Sequence, residues 1–256
     1  MVRFRCGFLL IFIVFASAVL AASPQRLFIL LGQSNMAGRA AITPEDTLPL
    51  PLVRLLNGQG AFEEARNPLN RYSNIRKDIS MQKMGPGYTF AGTVAAELQD
   101  TIFIIVNARG GTAIERFMKN DSTGYYEKTI FRIKQAMKNY PDLKPEAIIW
   151  HQGESNRDNY EDYIVHLRTL TEDYRRDLNT PELPLIVGEI GEWNPKNAFI
   201  SEKIKLIPDS IPNAYLVSSK GLKNIDEFHF DTVSQRELGR RYAAKYLELL
   251  TKKTGK

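Results

Sequence analysis

The sequence is poor in cysteine and histidine, with one cysteine (Cys6) and three histidines among 256 residues. A single cysteine excludes both an intrachain disulfide framework and a metal cage built from cysteines. Three histidines leave little for a metal site. Hydrophobic residues make up 43% of the chain and charged residues 25%. These fractions are typical of a globular domain and exclude a disordered chain or a coiled-coil rod.

Long apolar runs are absent except near the amino terminus. There, Arg3 and Arg5 precede an apolar stretch that ends in small residues. A basic start, about a dozen apolar residues and a small-residue exit are typical of a secretory signal peptide. A membrane span needs roughly 18–20 unbroken apolar residues, so an uncleaved anchor is the alternative. We expect residues 1–22 to be a signal peptide, the protein to be secreted or periplasmic, and residues 23–256 to form a single domain.

Basic residues exceed acidic ones by 34 to 29, which gives a formal net charge of +5. The basic residues are scattered along helix-like segments opposite acidic ones, as in Lys128–Lys138 and Arg168–Arg176. This pattern is typical of solvated helix faces rather than of a nucleic-acid groove. We therefore expect no nucleic-acid partner and no membrane contact beyond the signal segment. The sequence carries no signal for an oligomeric state.

Strand-like and helix-like segments alternate along the rest of the chain. Continuous apolar runs predict strands buried on both faces at Arg26–Leu31, Thr101–Asn107, Ala147–Trp150, Leu185–Gly188 and Ala214–Ser218. Amphipathic patterns predict helices at Tyr88–Leu98, Tyr125–Asn139, Asn159–Leu178 and Ser234–Leu250. This alternation predicts an α/β fold in which helices cover both sides of a parallel sheet. Gly32–Gly87 is less regular and is expected to form loops.

Polar, glycine-containing clusters begin where the first three predicted strands end. They are Gly32–Gly38, Asn107–Thr112 and His151–Asn156. In open parallel sheets, ligand sites form at the carboxyl ends of the strands. We therefore expect the three clusters to converge on one site. A fourth cluster, Asp226–His229, follows the fifth strand and precedes the last helix.

These clusters contain the side chains that acyl transfer requires: a nucleophile, a base and an acid that orients the base. Ser34 lies between a strand end and a turn, although a helix-capping serine would also suit this place. His229 is the one histidine in a loop before the final helix. Asp226, three residues earlier, is near enough to accept a hydrogen bond from one ring nitrogen. Asp231 is the rival acid, but it is better placed to cap the last helix.

Donors for an oxyanion are also present. The Gln152 side chain carries N–H groups, and Gly110 and Gly111 can expose backbone N–H groups because no Cβ stands in the way. Glu154 has three possible roles: a second acid near the histidine, a substrate contact, or a capping carboxylate. Ser155 is an alternative nucleophile, ranked behind Ser34 because no Gly-x-Ser turn surrounds it.

The Gly-x-Ser-x-Gly elbow of the α/β-hydrolases is absent, because Met36 occupies the second glycine's place. The motifs instead resemble the sialate O-acetylesterase / acetylxylan esterase family of the SGNH (GDSL-like) hydrolases, which includes carbohydrate esterase family six. The motifs that carry this resemblance are Gly32–Gly38, Gly110–Thr112, Trp150–Ser155 and Asp226-x-x-His229. They occur in the right order, and the resemblance covers Gln25–Leu250.

The resemblance implies a three-layer α/β/α sandwich with a five-stranded parallel sheet in flavodoxin-like order. It implies a serine esterase that removes O-acetyl groups from oligo- or polysaccharides of the acetylxylan or sialic acid type through an acetyl-enzyme, without a metal or organic cofactor. An esterase or lipase for other acyl esters, and a catalytically silent glycan-binding protein on the same scaffold, are the alternatives.

The resemblance also assigns roles to individual residues. Ser34 is the nucleophile, with His229 as its base and Asp226 as the partner of the histidine. The oxyanion hole is formed by the Ser34 backbone N–H, a glycine of Gly110–Gly111 and the Gln152 side chain. Arg109, which precedes the glycines, departs from the family's pattern by adding a positive charge, and we expect it either to bind an acidic sugar or to pair with Glu154.

Overall fold

The structure is a computed structural model that describes residues 25–255. The predicted signal peptide, residues 1–22 with Cys6, lies outside the described residues. The strands are β1 (Gln25–Gly32), β2 (Leu50–Leu56), β3 (Phe62–Ala65), β4 (Ile102–Ala108), β5 (Leu143–His151), β6 (Leu185–Gly188) and β7 (Ala214–Val217). The helices are α1 (Ser34–Ala37), α2 (Gly87–Leu98), α3 (Tyr125–Asn139), α4 (Tyr163–Asp177), α5 (Ala198–Lys205), α6 (Ile207–Ser210) and α7 (Thr232–Thr254).

Short 3-10 helices occur in the connections, at Pro44–Asp46, Leu69–Tyr72, Ile79–Met81, Ile114–Phe117, Glu154–Asn156 and Pro195–Asn197. Within residues 25–255, no helix combines the length and the apolar character that a membrane crossing requires.

One sheet runs through the domain in the order β3-β2-β4-β1-β5-β6-β7. Every neighbouring pair is parallel except β2 and β3, which are antiparallel. The five strands predicted from the sequence are neighbours in the order β4-β1-β5-β6-β7, which is the flavodoxin-like order. The expected strand count was wrong, however, since the sheet among the described residues has seven strands rather than five.

The two extra strands come from the stretch Gly32–Gly87, which was expected to form loops. β2 contains Pro51, and Leu52 adopts a φ of 60°. Only Val53–Leu55 pairs with β4. β3 is four residues long and carries two glutamates. The proline lies in the part of β2 that does not pair with β4, as is usual for proline in sheets. Because proline interrupts β2 and glutamates interrupt β3, neither segment shows the continuous apolar run that identified the other strands.

Helices cover both faces of the sheet, which confirms the predicted layers. Side chains of β1 alternate between the faces, with Leu27, Ile29 and Leu31 in one core and Phe28 and Leu30 in the other. The first core is closed by α3 and α4, and the second by α2 and α7. Fully burying one such side chain contributes about 1.5–3 kcal/mol, so both faces of β1 stabilise the fold.

The central strands end at the same level, and this positions the site. Gly32 at the end of β1 pairs with Ala108 at the end of β4 and with His151 at the end of β5. The three polar clusters predicted from the sequence therefore leave the sheet side by side, at its carboxyl edge.

Candidate active site

The turn after β1 requires glycine at its first position. Gly32 has a φ of 141°, and a Cβ at this position would lie 2.1 Å from the carbonyl oxygen of His151. The next residue, Gln33, donates its N–H to the same carbonyl at 2.9 Å. The chain thus leaves β1 tightly against β5 and enters α1 with Ser34 as its first residue. The side chain of Ser34 is buried but reaches the adjoining cavity.

A hydrogen-bonded chain connects the three residues predicted to perform acyl transfer. Nε2 of His229 lies 3.0 Å from Oγ of Ser34. Nδ1 of the same ring lies 2.7 Å from Oδ2 of Asp226. With the ring proton on Nδ1, the imidazole donates to the carboxylate and accepts from the hydroxyl. This geometry allows His229 to take the hydroxyl proton while Asp226 fixes the ring.

Asp226 holds both the imidazole of His229 and the backbone of its own turn. Its Oδ1 accepts from the backbone N–H groups of Phe228 at 2.8 Å and His229 at 2.9 Å, while Oδ2 holds the imidazole. Partial burial raises the pKa of Asp226, but these hydrogen bonds outweigh it, and the pKa lies below its usual value. The rival acid, Asp231, caps α7 by accepting from the N–H of Ser234 at 2.7 Å, as predicted.

Asn35 connects the nucleophile turn to the neighbouring clusters from a fully buried position. Its Nδ2 donates to Oε1 of Glu154 at 2.6 Å and to the carbonyl of Phe228 at 2.9 Å. Its Oδ1 accepts from the N–H of Phe230 at 3.2 Å and from Nε2 of Gln235 at 3.1 Å. All four of its hydrogen-bonding positions are used. Asn35 therefore fixes the turn that carries Ser34 to the loop that carries His229.

Glu154 lies in the wall of the same cavity. Burial raises its pKa to about 7. Oε1 accepts from Asn35, while Oε2 is buried with no partner among the described residues. At neutral pH the side chain is therefore divided between its neutral and charged forms. Within residues 25–255 Glu154 forms no ion pair with Arg109, and its three roles considered from the sequence stay predictions.

The cavity at the carboxyl edge of the sheet has a volume of about 450 Å³. It is lined by Gln33, Ser34, Arg39, Lys77, Met81, Gly110, Gly111, Glu154, Ser155, Arg157, Asp158, Phe228 and His229. The backbone N–H groups of Gly110 and Gly111 have no acceptor within residues 25–255. They can donate to a ligand in the cavity, as the sequence predicted.

Gln152 is not brought to the cavity, contrary to the expectation from the sequence. Its side chain is fully buried. Nε2 donates to the carbonyl of Thr112 at 3.2 Å and to Oδ1 of Asn156 at 2.7 Å. Both amide hydrogens are thereby used inside the protein. The amide therefore connects two loops and has no hydrogen left to donate to a ligand.

Arg109 also lies away from the cavity, so neither of its expected roles is supported. Nη1 donates to the carbonyl of Ile75 at 2.6 Å, and the guanidinium lies over the ring of Tyr125, 5.0 Å from its centroid. It makes no ion pair with Glu154. The residue positions a loop through these contacts.

Ser155, His151 and His166 are not part of the hydrogen-bonded chain of Ser34, His229 and Asp226. Ser155 lines the cavity, but its hydroxyl has no histidine partner within residues 25–255. His151 is buried against Tyr242, and burial lowers its pKa to about 3, so it is neutral. His166 lies on α4, 3.8 Å from a glutamate. Among the described residues, no cluster of three or more histidine, cysteine or acidic side chains is arranged to hold a metal ion.

The sequence did not single out several residues that line the cavity. Arg39 directly follows the first polar cluster, which was the available signal for it. Lys77 and Met81 come from the irregular stretch between β3 and α2, where no periodic pattern marks side-chain direction. Arg157 follows the third cluster and stacks over the ring of Phe228, at 4.8 Å from its centroid.

A mostly parallel sheet in this strand order, with a serine and a histidine in hydrogen-bond contact at its carboxyl edge, is consistent with an SGNH-like hydrolase fold. Residues 24–248 match the family model described as carbohydrate esterase, sialic acid-specific acetylesterase, and the chain belongs to this family. By this membership the protein is a carboxylic ester hydrolase of the carbohydrate acetylesterase class.

The chain is also similar in sequence and in structure to a plant protein. The chain is 31% identical over 251 residues to a probable carbohydrate esterase of Arabidopsis thaliana, a match that covers 88% of this chain and 91% of the plant protein. The X-ray structure of that protein superposes with a TM-score of 0.78 at 29% identity, covering 88% of this chain and 98% of the plant chain.

Two further structures share the fold at lower identity. The crystal structure of NanS has a TM-score of 0.68 and 16% identity, covering 91% of this chain and all of that chain. A carbohydrate acetylesterase from Xanthomonas citri has a TM-score of 0.62 and 18% identity, covering 85% of this chain and 54% of that one.

Proposed function

We propose that the protein removes O-acetyl groups from carbohydrates as a serine esterase, with Ser34 as nucleophile, His229 as base and Asp226 as the residue that orients the base. The observation that carries this proposal is the 3.0 Å contact between Oγ of Ser34 and Nε2 of His229. A serine hydroxyl is a weak nucleophile until a neighbouring base accepts its proton, and this contact places such a base. Membership in a family of carbohydrate acetylesterases supports the substrate class.

The first half of the reaction forms an acetyl-enzyme. Oγ of Ser34 attacks the carbonyl carbon of the O-acetyl group while Nε2 of His229 takes the hydroxyl proton. The carbonyl electrons move onto the oxygen, which becomes an oxyanion facing the backbone N–H groups of Ser34 and Gly110. When the bond between the acyl carbon and the sugar oxygen breaks, the protonated His229 returns its proton to that oxygen. The deacetylated sugar then leaves.

The second half releases acetate. Water loses a proton to His229 and attacks the acetyl carbon, and a second oxyanion forms in the same place. The bond to Oγ then breaks, and the imidazolium reprotonates Ser34. The Asp226 carboxylate, whose pKa lies below its usual value, stabilises the imidazolium in both halves because it stays charged at neutral pH.

The description of the family as sialic acid-specific favours O-acetylated sialic acid over acetylated xylan as the preferred substrate. We therefore extend the proposal to sialic acid esters, with acetylated xylan as the competing substrate. An esterase for other acyl groups and a glycan-binding protein without chemistry are the remaining alternatives.

Acetate release tests the function directly. The purified protein is incubated with O-acetylated sialic acid and with acetylated xylan, beside Ser34→Ala and Ser155→Ala. We expect release by the wild type and by Ser155→Ala, faster on the sialic acid ester, and a loss of about 10⁴-fold or more in Ser34→Ala. Both serines line one cavity, so Ser155→Ala controls for a general effect of removing a hydroxyl there.

The other outcomes each overturn part of the proposal. Release that persists in Ser34→Ala and disappears in Ser155→Ala would move the nucleophile to Ser155. Binding of both glycans without acetate release would identify a glycan-binding protein. Faster release from xylan would reverse the substrate preference while leaving the mechanism in place.

We also propose that the protein is secreted or periplasmic, on the basis of the basic and apolar pattern of residues 1–22. Expression of the full chain in a bacterial host, followed by amino-terminal sequencing of the extracytoplasmic fraction, tests this. A mature protein that begins near residue 23 is the expected result, and a chain lacking residues 1–22 should stay in the cytoplasm. An uncleaved chain recovered with the membrane would instead identify an anchor.

A further inference from the structure

Arg39 places a positive charge in the cavity wall without an internal counter-ion. Its Nη1 donates to the backbone carbonyls of Gly38 at 2.7 Å and Met81 at 2.9 Å. These bonds fix the guanidinium but do not neutralise it. Within residues 25–255 no carboxylate pairs with Arg39, and partial burial alone lowers its pKa. Holding a partly buried cation costs free energy unless an anion compensates it. The charge of Arg39 therefore suits the cavity to bind an anion.

The position of the guanidinium shows which anion it can meet. A Cβ built on Gly110 would lie 2.2 Å from Nη2 of Arg39 and 3.4 Å from Cβ of Ser34. Nη2 therefore occupies the space above Gly110 that a side chain would fill, next to the nucleophile. The anion that forms there is the oxygen on the acyl carbon bonded to Ser34. A carboxylate elsewhere on a sugar lies several bonds farther from this point.

One donor expected at the oxyanion is absent from the cavity. The Gln152 amide gives both hydrogens to Thr112 and Asn156. The backbone N–H groups of Ser34 and Gly110 remain, while Nη2 of Arg39 makes no hydrogen bond to the described protein.

We infer that Arg39 is a catalytic residue that donates from Nη2 to the oxyanion, in the role that the sequence assigned to Gln152. A charged donor is roughly twice as strong as a neutral one, so a single guanidinium can replace the amide. Nη1 is already anchored on two carbonyls, so the guanidinium is oriented before the charge develops. The inference rests on the proposed serine esterase activity.

Steady-state kinetics on p-nitrophenyl acetate test the inference, because this ester is neutral and carries no carboxylate. We expect Arg39→Met to lower kcat by about a hundredfold with little change in KM, the usual effect of removing one oxyanion donor. Lys83→Met is the matched control, because it also removes a cation close to Met81. Its side chain is exposed and does not line the cavity, so kcat should stay within about twofold of the wild type.

A transition-state analogue separates a role in charge stabilisation from a structural one. Methylboronic acid forms a tetrahedral, negatively charged adduct with a reactive serine. In Arg39→Met, its inhibition constant should rise by about the same factor as kcat/KM falls. Gly110→Ala gives a second route to the same test. It keeps the arginine and the backbone N–H but pushes Nη2 aside, so kcat should again fall while the chain remains folded.

The outcomes distinguish failure of the inference from failure of the proposed function. Activity that survives Ser34→Ala would overturn the proposed function in which Ser34 is the nucleophile. If Ser34→Ala is inactive but Arg39→Met keeps its kcat and its inhibition constant, only the role of Arg39 is overturned. A rise in KM confined to O-acetylated sialic acid, with p-nitrophenyl acetate unaffected, would also overturn it, because Arg39 would then bind the carboxylate of the substrate.

Discussion

The side-chain amide of Asn35 donates to the carboxyl group of Glu154 at 2.6 Å, and both side chains are buried. This contact joins the turn that carries Ser34 to the loop that follows β5. The same amide reaches the carbonyl of Phe228 in the His229 loop. The neutral amide of Asn35 therefore helps to fix the distance between nucleophile and base.

Asn35→Asp should destabilise the protein at pH 8. The substitution removes the two N–H donors, leaves buried acceptors unpaired and places a second carboxylate beside Glu154. We expect the free energy of unfolding to fall by about 3 kcal/mol. Urea denaturation measures this loss. At pH 5 the loss should shrink, because a protonated aspartic acid can donate again. An unchanged free energy of unfolding at pH 8 would refute the bridging role of Asn35.

Glu154 should make stability depend on pH. Burial raises its pKa from 4.5 to about 7, so the folded state holds a proton that the unfolded state has lost between these values. The contribution of Glu154 to the free energy of unfolding is therefore greatest below pH 4.5. It decreases by about 3 kcal/mol as the pH rises to 7.

Glu154→Gln removes this titration while its carbonyl oxygen can still accept from Asn35. We expect the unfolding free energy of the variant, measured in urea at pH 5 and pH 7.5, to fall less than that of the wild type. Every other group is the same in both proteins, so the difference between the two slopes isolates residue 154. Equal slopes would show that Glu154 is charged throughout this range.

Asp226→Asn should slow the reaction without unfolding the loop. The amide oxygen can still accept from the backbone N–H groups, but the amide cannot hold the charged imidazole. We expect kcat on p-nitrophenyl acetate to fall about 10²- to 10³-fold, within the range for general base catalysis. Asp231→Asn is the control, because asparagine is as good a helix cap as aspartate and kcat should not change. Equal rates for both variants would remove Asp226 from the mechanism.

Gly32→Ala should be much more damaging than Gly221→Ala, although both glycines have a positive φ. A Cβ on residue 32 would lie 2.1 Å from the carbonyl oxygen of His151, whereas residue 221 faces open space. We expect losses of about 3 kcal/mol or more at Gly32 and about 1 kcal/mol at Gly221. Thermal or urea unfolding of both variants provides the comparison. Similar losses would mean that the strand exit adjusts to a side chain.

The sequence predicted the central architecture because parallel strands buried on both faces are continuous apolar runs. All five such runs are strands of the sheet, and α3 begins and ends where the pattern indicated, at Tyr125 and Asn139. β2 and β3 were missed because a proline in β2 and two glutamates in β3 interrupt the apolar pattern. These segments form strands because β2 pairs with β4 and β3 pairs with β2 at the edge of the sheet.

Site prediction was most accurate where the motif also fixes the backbone. Ser34, His229 and Asp226 were placed together because a strand exit and a three-residue spacing determine their positions. Gln152 and Arg109 were misplaced because the direction of a long side chain depends on loops outside its motif. The amide of Gln152 donates to the carbonyl of Thr112, and the guanidinium of Arg109 donates to the carbonyl of Ile75.

The central claim is that Ser34 is the nucleophile, and labelling with diethyl p-nitrophenyl phosphate tests it most directly. This reagent transfers its phosphoryl group to an activated serine and releases p-nitrophenol. Mass spectrometry of the digested protein should find one added diethylphosphoryl group, on the peptide that contains Ser34. The label should be lost in Ser34→Ala and retained in Ser155→Ala. A label on Ser155, or an active enzyme that takes up no label, would contradict the assignment.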